Sequence, residues 1–133
     1  MQGVWEEEPL PYRDSLLQYT SHQFKFTCDS FYVVLQTRAK ANYYADSCFK
    51  NGTWMEYAKG TYVVNHDTLY LFGTFTKANY KQKLHDCYRI GQYLPTFLIK
   101  NKSAGKIELQ SLQQHLPVTL KLKEEIVCNP LPL

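Results

Sequence analysis

Four cysteines, Cys28, Cys48, Cys87 and Cys128, are the residues of this chain best equipped for chemistry. As thiolates they could ligate a metal or attack an electrophile, and as pairs they could close two disulfides. Structural zinc brings its ligands in closely spaced pairs, and no Cys-x-x-Cys pair occurs here. An even number of widely spaced cysteines therefore reads as a disulfide framework, and no metal is expected. Spacing alone does not choose among the possible pairings. We expect Cys28–Cys128, tying the first core strand to the last, and Cys48–Cys87, bridging the middle.

The histidines supply the remaining acid–base candidates. His66-Asp67 could form a dyad titrating near neutral pH, but adjacent residues on an extended chain point to opposite sides, so a hairpin turn is the expected reading. In His85-Asp86-Cys87 the odd–even count puts His85 and Cys87 on one face, the arrangement a cysteine nucleophile and its base require. The disulfide reading of Cys87 competes with it and is preferred. His22 and His115 stand apart from any metal-spaced partner and read as surface residues. No catalytic residue and no cofactor is expected.

Eleven Tyr, seven Phe and two Trp form the best candidate binding surface. Trp54, Tyr62, Tyr70, Phe72, Phe75, Tyr88 and Phe97 could line a barrel mouth or interior, where small-molecule sites are apolar and aromatic with few polar groups. The competing reading is that a small barrel fills itself with such side chains.

The elements that must position these residues are strands. Phe24, Phe26 and Cys28 alternate with Lys25 and Thr27; Phe31, Val33, Leu35 and Thr37 alternate with Tyr32, Val34, Gln36 and Arg38. A period of two with one wetter face predicts half-buried antiparallel strands. Asn51-Gly52 predicts a hairpin turn. Further strands are expected over 54–64, with Gly60 as a bulge or kink, and over 68–72, 74–80, 87–90, 96–100, 106–110, 118–123 and 126–128. Asn65 to Asp67 and Asn101 to Gly105 read as turns, Tyr43-Tyr44 leads toward Cys48, and 111–115 is ambiguous. Residues 1–20, with Pro9 and Pro11, read as a largely irregular leader, 21–128 as one β domain, and 129–133 as a disordered tail. About eight to ten short strands with short links favour an antiparallel meander. It is expected to close as an up-and-down barrel, with a β-sandwich as the runner-up.

Composition narrows the partners. The chain has 133 residues and a net charge of +3, with 15 Lys and Arg scattered along it. Nucleic-acid binders gather such charge into a patch or stripe, so no nucleic-acid partner is expected. No apolar run approaches the ~18 residues of a membrane span. Met1-Gln2-Gly3, followed by Trp5 and acid, is no secretory leader. Because disulfides imply an oxidising compartment, we expect an extracytoplasmic protein, in the periplasm, at the outer envelope or secreted, that meets a membrane only through a removed lipid anchor, if any. Asn51-Gly52-Thr53 and Asn101-Lys102-Ser103 match glycosylation sequons expected on exposed turns.

Trp54, Gly60-Thr61-Tyr62 and Asp67-Thr68-Leu69-Tyr70-Leu71-Phe72-Gly73 together resemble lipocalin-like (calycin) proteins, in which a glycine-aromatic strand is followed by a turn and a Leu-x-Leu-x-Gly strand. The Gly-x-Trp opening of true lipocalins is absent, so the resemblance is one of architecture. Leu17 to Phe24 and Cys87 to Pro95 also resemble short Bacteroidetes envelope proteins, often predicted lipoproteins and sometimes labelled fumarate hydratase. This chain has neither the cysteine-held iron–sulfur cluster of one fumarase class nor the large helical body and Gly-Ser-rich loop of the other. The resemblances imply a secreted or envelope binding module for a small apolar ligand or a protein partner. A pocketless interaction domain, or an enzyme, stands as the alternative.

Overall fold

The computed structural model describes residues 1–40, 46–84 and 87–128. Its strands are β1 (Gly3–Glu7), β2 (Gln18–Thr27), β3 (Ser30–Ala39), β4 (Thr53–Asn65), β5 (Thr68–Thr76), β6 (Gln92–Tyr93), β7 (Thr96–Ser103), β8 (Lys106–Ser111) and β9 (Pro117–Glu124), with one helical turn, α1 (Asp46–Phe49). Every pairing is antiparallel. All the strands except β6 form an up-and-down barrel closed by β1 against β9, while β6 is a short extra strand on β5. The closed meander excludes the sandwich alternative.

The alternation read in the sequence is the one the barrel uses. Phe24 and Phe26 of β2, with Phe31, Val33 and Leu35 of β3, face inward and are almost wholly buried. Leu69, Leu71, Phe97, Ile107, Leu109 and Leu120 meet them from the other wall, so side chains fill most of the interior. Burying each such side chain contributes roughly 1.5–3 kcal/mol, which makes this cluster the main source of stability.

Several expectations are corrected. The segment 1–20 is not a largely irregular leader: Gly3, Trp5 and Glu7 point inward from β1, which supplies the seam that closes the barrel. Two prolines follow this strand and do not interrupt it. Gly60 is not a bulge, since β4 pairs with both neighbours in unbroken register. It lies opposite Gly73, and a Cβ there would sit 2.0 Å from the Phe72 carbonyl oxygen. The glycine is needed for close backbone approach, and β5 runs through Gly73 to Thr76 instead of stopping there. Asn51-Gly52 forms a 3-10 turn leading from α1 into β4 and not a hairpin. Residues 87–90 and 126–128 are not strands, and β7 extends to Ser103, so that only Ala104–Gly105 makes the turn. The expectations for Tyr43-Tyr44, His85-Asp86 and the tail 129–133 fall outside the described residues.

Cys28 is bonded to Cys128 and Cys48 to Cys87. The first bridge sits at one end of the barrel, beside the two-residue β2–β3 turn. The second lies at the other end, where longer connections gather, and joins α1 to the segment between β5 and β6.

Candidate binding site at the open end of the barrel

Two pairs of strands part company at this second end. β1 and β2 are in register only as far as Glu6 and Gln23, and β5 pairs with β7 only over Thr68–Tyr70. The upper half of β5 takes β6 as its neighbour instead, with Phe75 N–H donating to the Gly91 carbonyl. A cavity of about 310 Å³ opens between these splits, within the usual range for small-ligand sites. Leu35, Phe75, Tyr93 and Phe97 form its apolar floor, and Gln18, Thr20, His22, Arg89, Gln92, Ser111, Gln113 and Gln114 bring polar groups to its wall.

Two buried carboxylates stand at this end, Glu7 beside the β1–β2 split and Glu56 on β4. Glu7, at an inward position of β1, accepts hydrogen bonds from the Tyr19 hydroxyl, the His22 backbone N–H (3.0 Å) and His22 Nδ1 (2.6 Å). The imidazole lies flat on Phe24 and edge-on to Phe97, and its side chain is 11% exposed. His22 is therefore a wall residue of the barrel and not the surface histidine expected of an isolated position. Burial, reinforced by the bond to Glu7, pushes the Tyr19 phenol well above its ordinary range.

Glu56, inward on β4 between Trp54 and Ala58, accepts from three N–H groups of Arg89: the backbone (3.3 Å), Nε (3.0 Å) and Nη2 (3.1 Å). The guanidinium also lies 4.6 Å from the centroid of Phe75, where a cation is attracted to the ring face. The Glu56 side chain is 4% exposed and that of Arg89 48%, so the acid is hidden and the base looks out. Tyr88 donates to the Cys48 carbonyl (2.6 Å) and stacks on Trp54 at 5.5 Å, fastening the segment that carries Arg89. Burial raises the Tyr93 phenol far above its normal value.

The seven aromatics proposed from sequence are not gathered into one surface. Phe75 and Phe97 lie in the cavity floor, and Trp54 and Tyr88 pack together beside it. Tyr62 is at the opposite end, bonded to Gln2 (2.8 Å) and to the Cys28 carbonyl (3.0 Å). Tyr70 and Phe72 stack on each other on the outer face of β5, exposed to solvent. His66 takes a left-handed conformation (φ 55°) in the β4–β5 hairpin turn, and His115 is exposed in the β8–β9 turn.

Glu7, Tyr19, Glu56 and Arg89 are not singled out by the sequence reading, which takes His22 for a surface residue. A signal is available for three of the five: His22 continues the inward phase of Phe24 and Phe26, Glu56 lies in phase with Trp54 and Ala58, and Glu7 lies in phase with Trp5. A charged residue in an inward phase marks a paired group or a site. Among the described residues, no group of three or more His, Cys, Asp or Glu side chains could hold a metal ion. Comparison of the chain with protein-family models, curated proteins and solved structures finds no match.

Proposed function

We propose that this chain is an extracytoplasmic binding module of lipocalin-like shape, holding a small ligand with an apolar body at the open end of its barrel. The observation that carries the reading is the mouth cavity, with an aromatic and aliphatic floor and a polar wall. Interior side chains fill the barrel below it, so the ligand sits at the mouth and does not thread the axis. The two disulfides support an oxidising compartment, and the resemblance to short envelope lipoproteins supports the cell envelope. No catalysis is part of this reading: the acid–base groups at the mouth are bound to one another, His22 to Glu7 and Arg89 to Glu56.

The protein should be purified under mild conditions from its native compartment and weighed intact, then again after denaturation with and without reductant. The expected result is one small-molecule mass lost on denaturation, with reductant adding the four hydrogens of two disulfides. A bare native mass would turn the reading toward a protein-interaction role. One observation favours that second reading: Val63, Tyr70 and Phe72 form an exposed apolar group on the outer face of β4 and β5.

A further inference from the structure

The mouth cavity separates its charges in a way that selects a ligand. Two cationic or proton-donating side chains, Arg89 and His22, reach its wall, and among the described residues no carboxylate lines it. The acids that neutralise them stand behind, with the side chains of Glu7 and Glu56 only 1% and 4% exposed. Buried carboxylates of this kind hold their partners in place without facing an incoming ligand.

Each partner also keeps hydrogen-bonding capacity. Glu56 occupies the Nε–Nη2 edge of the Arg89 guanidinium. Among the described residues, both N–H groups of Nη1 and the second of Nη2 have no partner, and that end-on edge matches a carboxylate bidentately. The guanidinium carbon lies 4.6 Å from the Phe75 ring centroid, which holds the group at the apolar floor. In His22 the Nδ1 edge faces Glu7, and Nε2 has no hydrogen-bond partner among the described residues.

From this we infer that the mouth recognises a small amphipathic anion: an aryl or short alkyl carboxylate whose body rests on Phe75, Tyr93 and Phe97 and whose head meets Arg89, with His22 Nε2 alongside. The inference rests on the proposed binding function and adds the charge and size of the ligand. Size follows from the filled interior, which stops a long chain from descending the barrel.

The test is a titration of the oxidised full chain with phenylpropionate, phenylpropanol and phenylpropylamine, three probes with one body and different heads, followed by NMR shifts of backbone and side-chain N–H groups. Phenylpropionate is expected to move the Arg89, His22 and Gln113 signals and to bind about tenfold tighter than the alcohol, with the amine weakest, as a charge-assisted contact predicts. A double variant, Arg89→Gln with Glu56→Gln, removes the pair without stranding a buried charge. It should erase the acid's advantage over the alcohol. Equal binding of all three probes at the mouth would overturn the anionic head while the binding module stands. Acid binding whose shifts cluster on the outer face would also overturn it. If none of the probes moves a mouth signal, the inference and the proposed function fall together.

Discussion

The two ends of this barrel are built on opposite plans. At one end the strands turn in two residues, at Cys28–Asp29, His66–Asp67 and Ala104–Gly105. There the Gln2 side chain bonds both the N–H and the carbonyl of Cys28, each at 2.6 Å, and Cys28 is tied to Cys128. These bonds hold the first and second strands and the segment after the last strand together. At the other end the strands separate, long connections enter, and two buried carboxylates, Glu7 and Glu56, are paired with His22 and Arg89. The difference places stability at one end and the proposed recognition at the other: the tight end fixes the barrel, leaving the loose end free to carry charges and a cavity that a simple barrel would fill.

The disulfides offer the largest way to break this comparison. Cys28–Cys128 closes a loop of 100 residues, so its loss costs up to about 5 kcal/mol by the chain-entropy argument. Cys48–Cys87 spans 39 residues and is worth up to about 4 kcal/mol on the same basis. Cys28→Ser with Cys128→Ser should lower the denaturation midpoint more, while folded protein keeps its phenylpropionate affinity. Cys48→Ser with Cys87→Ser should lower it somewhat less and weaken binding, because the segment carrying Arg89 loses its anchor. Denaturant curves and mouth titrations on both variants check this. Equal loss of affinity in the two would show that the ends are not separable.

The Glu56–Arg89 pair gives a smaller and directional effect. Arg89→Met leaves a buried carboxylate without its cation, at a cost of about 3 kcal/mol, the low end of the range for broken buried pairs because Arg89 is half exposed. Glu56→Gln leaves a cation that can turn to solvent, and about 1 kcal/mol is expected. Urea denaturation of both single variants measures the asymmetry, and equal losses would mean that the acid is less hidden than its 4% exposure indicates.

The closed end was largely legible in the sequence and the open end was not, and the reason is physical. Strand periodicity reports which face of a residue is buried, and that recovers the walls from Phe24 through Thr37 and from Lys106 through Lys123. It says nothing about where neighbouring strands diverge. Yet divergence is what makes room for Glu7 and Arg89. The Trp5 phase went unread because Pro9 and Pro11 drew the whole amino-terminal segment into an irregular leader, although β1 ends before them. Arg89 lies in an irregular stretch whose partner, Glu56, is 33 residues away in sequence. Such pairs follow from topology and not from spacing. The aromatic set shows the same limit: Tyr70 and Phe72 share a strand with Phe75, but their even numbers put them outside and its odd number puts it in.

Alkaline pH sharpens the comparison most gently. Tyr93 lines the open mouth and Tyr62 belongs to the closed end; burial raises the pKa of both phenols above the ordinary value of 10.0. A hydrogen bond from Gln2 opposes the rise in Tyr62, whereas the Tyr93 shift is the larger. In the unfolded chain each phenol ionises near pH 10, while the folded chain holds its proton. Above that pH the unfolded state therefore binds fewer protons, and stability falls as pH rises toward the folded-state pKa. Below pH 10 the difference vanishes. Tyr93→Phe removes this linkage and should recover about 1.4 kcal/mol at pH 11 relative to the same variant's effect at pH 8, one pH unit's worth. Tyr62→Phe should recover less, and its loss of bonds to Gln2 and Cys28 should cost stability at both pH values. Thermal or urea denaturation at the two pH values checks the pair. A larger alkaline recovery for Tyr62→Phe would place the more deeply shielded phenol at the closed end, and the mouth would then be wetter than its cavity floor implies.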